Sequence, residues 1–200
     1  MTQAKPRFRT IEEYLDYDDG TDTRYELVDG ELVELPPESR RNHKIASFLF
    51  EAFLKLGIAS DLLTIGAQIE VTSRKVTARQ PDLVVLSQEC ANALDALPEE
   101  ADSDVIRAGM PTPSLVIEIV SPGKASSDNY QRDYVEKPRE YAARGIPEFW
   151  RIDRPRVVVM VLNLEDGIYR SSEFRGSDRV MSPTFPDLQL TAEQILRAGR

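Results

Sequence analysis

"SLVIEIVSP", residues 114–122, is among the most apolar stretches of the chain, and it carries one carboxylate, Glu118. "TARQPDLVVLS", residues 77–87, repeats the arrangement with Asp82. The first reads as a central strand, because apolar residues occupy both of its faces. Strand alternation puts Val116, Glu118 and Val120 on one face and Leu115, Ile117 and Ile119 on the other. An ionised glutamate in such a place is costly unless it is paired, protonated or bound to a metal. Asp82 follows Pro81, and Pro-Asp commonly opens a strand or a turn, so a purely structural role is at hand for Asp82 alone. A salt bridge to an arginine or lysine is the rival for Glu118 alone. On neighbouring strands, however, the two carboxylates would point at one place. Mg²⁺ takes one or two carboxylates and keeps several waters, which leaves room for a phosphate oxygen.

Working outward, "RYELVDGELVEL" places two short apolar runs around Asp29-Gly30, the strongest hairpin signal in the chain. Thr10 followed by Glu13 has capping-box spacing and opens a short helix at "TIEEYLDY". "PPESRRN" reads as a loop. In "HKIASFLFEAFLKLG", Ile45, Phe48, Leu49, Phe53 and Leu56 recur at helical steps, and Gly57 stops the run. "LLTIGAQIEVT" and "ARQPDLVVLS" read as strands. The acidic segment 88–113 reads as a surface excursion holding a short helix. "NYQRDYVEKPREYAARG" has helical spacing and ends on Gly145. "IPEFWRID" and "RVVVMVLNL" are further strands, and "GIYRSSEFRG" and "DRVMSPTFPDLQL" weaker ones. Thr191 to Gln194 caps a last helical turn. Trp150 and Phe149 are expected in the core or an interface. The expected fold class is α/β in the α+β sense, a mixed central sheet flanked by helices, in a single domain over residues 1–200.

The bulk numbers exclude several classes. The chain has 200 residues, 41% hydrophobic and 30% charged, with a net charge of -9. A protein that coats nucleic acid generally would be basic, so any site for a polyanion here must be a local positive feature or a bound cation. No apolar run is long enough for a membrane span. The first residues have no apolar secretory core, and a cytoplasmic protein is expected. Cys90 is the only cysteine, which excludes an internal disulfide.

Asp133, Lys137 and Tyr141 are spaced by four and share one helical face. On spacing alone this is a solvated face with an Asp-Lys pair. Lys124 is the other lysine near the end of the Glu118 strand.

"QPDLVVL", then "LVIEIVSP", then "D…K…Y…GIPEFW" resemble the Uma family of putative restriction endonucleases, within the PD-(D/E)XK nuclease superfamily. "YELVDGELVEL" and His43 also match its layout, and the resemblance runs from about Arg24 to Asp153. It implies a restriction-endonuclease-like core and a DNA-cleaving site that uses Mg²⁺ or Mn²⁺, with Asp82 and Glu118 as metal ligands and Glu26 adding to them. The superfamily's lysine usually stands two residues after the glutamate. Val120 is there in this chain, and the resemblance assigns the role to Lys137 on the following helix. His43 would touch substrate or cap its helix, with Asp133 and Tyr141 as accessory residues. Pro138 runs against this, because an internal proline costs a helix about 3 kcal/mol and disfavours a helical residue before it; a kink or a displaced Lys137 is expected. A homodimer would suit cleavage of two strands. Two rivals stand beside the nuclease: a nuclease-fold binding module without activity, and a metal-dependent hydrolase of a smaller phosphate ester.

Overall fold

The computed structural model describes residues 6–21, 23–35, 39–71, 73–98, 104–120 and 128–200, the side chains of residues 128 and 129 excepted. A short helix, α1 (Ile11–Leu15), opens it, with the Thr10 hydroxyl accepting from the Glu13 amide at 3.2 Å. The Glu13 carboxylate reaches back to the Arg9 amide, one residue before the expected partner. Strands β1 (Tyr25–Val28) and β2 (Glu31–Glu34) form the hairpin. Asp29 and Gly30 both have positive φ, 49° and 79°, as a two-residue turn matched to strand twist requires.

Helix α2 (Arg40–Lys55) is capped by Ser39, whose side chain accepts from the Asn42 amide. It therefore begins inside the segment expected to be loop: Arg40 to Asn42 form its first turn, while residues 36–38 lie outside the described residues. The polar side chain of Ser39 can supply the acceptor that the first amides need, which is why the helix starts there. Strands β3 (Leu63–Thr64), β4 (Gln68–Val71), β5 (Thr77–Arg79) and β6 (Leu83–Val85) follow.

The acidic segment is anchored rather than a surface excursion throughout. Helix α3 (Gln88–Asp95) buries Cys90 and Ala91, and β7 (Val105–Ile106) pairs in parallel with β4. Residues 99–103 of it lie outside the described residues. Next come β8 (Leu115–Ile119), a helix in three parts, then β9 (Glu148–Asp153), β10 (Val158–Glu165), β11 (Ile168–Phe174) and α6 (Ala192–Ala198). The expected strand at "DRVMSPTFPDLQL" is an isolated bridge, Arg179 to Thr191. Pro183 and Pro186 lack the donors a ladder needs, although Val180 and Leu188 still pack into the core.

The fold is of the expected class, mixed sheet flanked by helices, with its strands divided between two mixed sheets. One runs β2-β1-β5-β4-β7 and the other β11-β10-β9-β8-β6-β3. The chain crosses between them at Gln80-Pro81-Asp82, because β5 belongs to the first sheet and β6 to the second. In the second sheet β8 is internal, antiparallel to β6 and parallel to β9. Its Leu115, Ile117 and Ile119 pack with Ile45, Leu49, Phe53 and Trp150 on one face. Val116 packs with Tyr141, Ile146 and Phe149 on the other, the alternation expected from the sequence. β10 lies between β9 and β11, so its backbone is already paired on both sides.

Gly30 and Gly167 have the same φ of 79°, but only Gly30 is crowded: an added Cβ there would lie 2.4 Å from the Phe8 carbonyl oxygen. Gly167→Ala is expected to lose about 1 kcal/mol from left-handed strain alone. Gly30→Ala is expected to lose clearly more in urea unfolding, and equal losses would contradict the close approach.

Candidate active site

Glu118 points from β8 into the space between the two sheets, and it meets the helix that follows. That helix is α4 (Asp128–Gln131), a π-helical turn (Arg132–Glu136) and α5 (Lys137–Arg144), closed by Gly145 at φ 84°. Pro138 sits in the first turn of α5. Lys137 keeps helical dihedrals, and its amide donates to the carbonyl of Arg132, five residues back. The wider turn accommodates the proline without a break, and single π-helical turns are frequent at functional sites. The expected displacement of Lys137 does not occur.

Lys137 Nζ lies 2.8 Å from Glu118 Oε2, 3.3 Å from Glu26 Oε1 and 3.8 Å from Asp133 Oδ1. The Tyr141 hydroxyl donates to Glu118 Oε1 at 2.7 Å. All five residues are buried, so the Asp133-Lys137-Tyr141 face is internal and not solvated. Glu26 is wholly buried, although a hairpin residue would ordinarily be exposed.

Asp82 stands one position beyond the Leu83 to Ile117 pair and so falls opposite Glu118 in the β6–β8 register. Its Oδ2 accepts from the Ile119 amide at 2.6 Å, and its own amide donates to the Ile117 carbonyl. Pro81 ends the backbone ladder there, and the carboxylate takes over one of its bonds. His43 is exposed on the first turn of α2, and no hydrogen bond or ion pair among the described residues ties it to the Glu118 cluster. Lys124 lies outside the described residues.

Several members were not foreseen. Arg79 of β5 is fully buried and grips Glu140 with two bonds, at 2.7 and 2.9 Å. It also reaches Glu26 at 3.3 Å and Glu136 at 3.2 Å. Arg132 lies 4.0 Å from Glu26 and 3.8 Å from Asp133. Arg151 is the β9 partner of Glu118; it donates to the Asp133 carbonyl and lies 3.9 Å from the centre of the Tyr134 ring. The Tyr134 hydroxyl in turn bonds Asp153. An arginine between the apolar Trp150 and Ile152 of β9 was the available signal for Arg151, as the carboxylate among apolar neighbours was for Glu118.

The charges divide unequally. Burial pushes the Glu118 carboxyl up to about 7; Lys137 opposes this, and Glu26 and Asp133 reinforce it. Burial also pushes Glu26 up, but Lys137, Arg79, Arg132 and the Gln80 amide together outweigh it and hold Glu26 below the usual carboxylate range. Burial would lower the Lys137 ammonium, yet Glu118, Glu26 and Asp133 hold it above its usual range. Burial and the neighbouring Glu118 carboxylate keep the Tyr141 hydroxyl protonated far into the alkaline range. Lys137 and Tyr141 are thus donors and Glu118 the acceptor.

Among the described residues no group of three or more His, Cys, Asp or Glu is set to hold a metal ion. The donor chemistry nonetheless fits a hard cation. Among the described residues, five carboxylates (Glu26, Glu118, Asp133, Glu136 and Glu140) form ion pairs with three cations (Arg79, Arg132 and Lys137). Asp82 and Glu118 share one ladder position, and Mg²⁺ needs no more than one or two carboxylates. Among the described residues Glu118 Oε1 accepts from Tyr141 and Oε2 from Lys137, and a carboxylate oxygen has two lone pairs.

The Uma2 family model, described as "Putative restriction endonuclease", matches residues 11–193. The chain belongs to the Uma2 family. Among solved structures, this Uma2 chain is similar to a "putative nuclease belonging to DUF820" from Anabaena variabilis, with a TM-score of 0.68 at 17% identity. The match covers 96% of this chain and 99% of that one, and at this identity it establishes the fold. No curated protein matches the chain. Among the described residues no helix is long and apolar enough to cross a membrane.

Glu118 titrates near 4.3 in an unfolded chain and near 7 in the fold. Between those values the native state holds a proton that the unfolded chain has released, so stability falls as pH rises through the window. Glu26, with its lowered value, acts only below the window and in the opposite sense. Urea unfolding from pH 4.5 to 7.5 is expected to show wild type losing up to ~3 kcal/mol relative to Glu118→Gln. Parallel profiles for the two would contradict the assignment.

Proposed function

We propose that the chain is a metal-dependent endonuclease that hydrolyses DNA phosphodiester bonds. The observation that carries this reading is the convergence of Glu118, Lys137 and Tyr141, with Asp82 opposite and Glu26 beside them, in a chain of the Uma2 family. Asp82 and Glu118 would hold a divalent cation, with Glu26 at its margin. Such an ion supplies charge neutralisation at a phosphoryl oxygen and a more acidic water.

The remaining chemistry belongs to this chain's side chains. Lys137 carries its positive charge into a buried setting, where it would stabilise negative charge developing on the phosphate or orient the attacking water. Ringed by carboxylates, it stays protonated and serves as a donor, not a base. Tyr141 fixes one oxygen of Glu118 and so sets the direction of the other. Arg79 holds α5, and with it Lys137 and Tyr141, against β5 through Glu140. The competing reading is a nuclease-fold binding module. It is favoured by both Glu118 oxygens already having protein donors, as a purely structural ion pair would.

Supercoiled plasmid and single-stranded DNA incubated with Mg²⁺ or Mn²⁺ separate the two. Wild type is expected to cut, and Glu118→Ala and Lys137→Ala, purified alongside, to lose at least about a hundredfold of the rate, in keeping with loss of one transition-state donor. Equal cutting by all three preparations would identify a contaminant. No cutting by wild type with either ion would favour the binding module, unless a small chromogenic diester is hydrolysed, which would indicate a smaller phosphate ester as substrate.

A further inference from the structure

A chain with net charge -9 needs a local positive feature to hold DNA. Such a feature lies where α2 begins, beside the turn after β9. A concave pocket of about 510 Å³ is lined by Arg41, Arg154 and Arg200, and no carboxylate side chain is among its lining residues. None of the three arginines has a carboxylate side chain within ion-pair distance among the described residues. Burial, and then the charge of Arg41, press the Arg154 guanidinium below its usual value, so the two cations repel one another. The first turn of α2 adds Arg40 and contains no acidic residue, although helix N-termini favour negative charge. Lys44 Nζ donates to the main-chain oxygen of Arg200 at 2.6 Å.

This pocket is bonded to the candidate active site. Arg154 donates to Asn42 Oδ1 at 3.1 Å, and Asn42 Nδ2 donates to the Ile119 carbonyl at 3.3 Å. Ile119 follows Glu118 and is the residue whose amide Asp82 accepts. The arginine pocket is therefore two hydrogen bonds from the backbone that carries the carboxylates. Arg154 stands three positions beyond Arg151, the β9 partner of Glu118, which is roughly 10 Å along a strand and comparable with the spacing of a few phosphates on one DNA strand, about 3.4 Å each along the helix axis.

We propose that Arg41 and Arg154 form a subsite for a backbone phosphate of duplex DNA flanking the bond at Glu118. The proposal rests on the nuclease reading for the identity of the ligand. Like other phosphate contacts, the subsite positions the strand without reading its sequence.

The test is fluorescence anisotropy of a labelled duplex at several salt concentrations with EDTA present, so that binding is read apart from cleavage. Arg41→Ala and Arg154→Ala are each expected to weaken binding several-fold, equally for unrelated sequences. Each should lower the slope of log K against log salt by about 1. Arg170→Ala, which removes an exposed arginine on β11, serves as the control and should match wild type. Circular dichroism melts establish that each variant is folded, and Arg41→Glu, at an exposed position, gives a second, stronger change of the same sign. Unchanged affinity and slope in both alanine variants, or no duplex binding by wild type, would overturn the subsite. Arginine-dependent binding by a wild type that never cuts with Mg²⁺ or Mn²⁺ would support the subsite and overturn the nuclease reading.

Discussion

One ammonium group, Lys137 Nζ, lies within 3.3 Å of carboxylates from two different sheets, Glu26 of one and Glu118 of the other. The rest of the arrangement depends on it. Two buried carboxylates this close would repel each other strongly, and desolvation would penalise both. Lys137 makes their approach tolerable, and Tyr141 and Arg79 complete the bonding on either side. Buried pairs of this kind are weak contributors to net stability but expensive to break singly, at roughly 3–5 kcal/mol. The cluster thus fixes geometry more than it adds stability, as a site needing three elements in register requires.

The fold delivers each element by a local device. Pro81 ends one ladder and moves the chain from the first sheet to the second, which sets Asp82 opposite Glu118. The π-helical turn lets Pro138 stand beside Lys137 without breaking the helix. Arg79, through its two bonds to Glu140, docks that helix onto β5. Asn42 ties the start of α2 to the end of β8 and joins the basic pocket to the same backbone.

Much of this was legible in the sequence because it depends on period and local chemistry. The hairpin at Asp29-Gly30, the stripe of α2 and the two faces of β8 follow from residue spacing, and the carboxylate of Glu118 stood out against its apolar neighbours. The division into two sheets was not legible, since strand pairing is long-range and β5 and β6 are only three residues apart. Glu26 read equally well as an exposed hairpin residue, because nothing local says that the hairpin's inner face will be covered by a helix more than 100 positions later. Arg79 carries no local signal, because its partners, Glu26, Glu136 and Glu140, are brought to it by tertiary packing alone. Pro138 misled in the other direction: the rule about proline in helices holds for a regular α-turn, and the π-helical turn evades it.

The most direct measurement is a calorimetric titration of Mn²⁺ into the protein without nucleic acid, comparing wild type with Glu118→Gln and Asp82→Asn. Saturable binding by wild type is expected, weakening at least about tenfold in each variant, as loss of one charged ligand oxygen implies. The same binding in all three proteins, or none in wild type, would contradict the assignment of the metal to these two carboxylates.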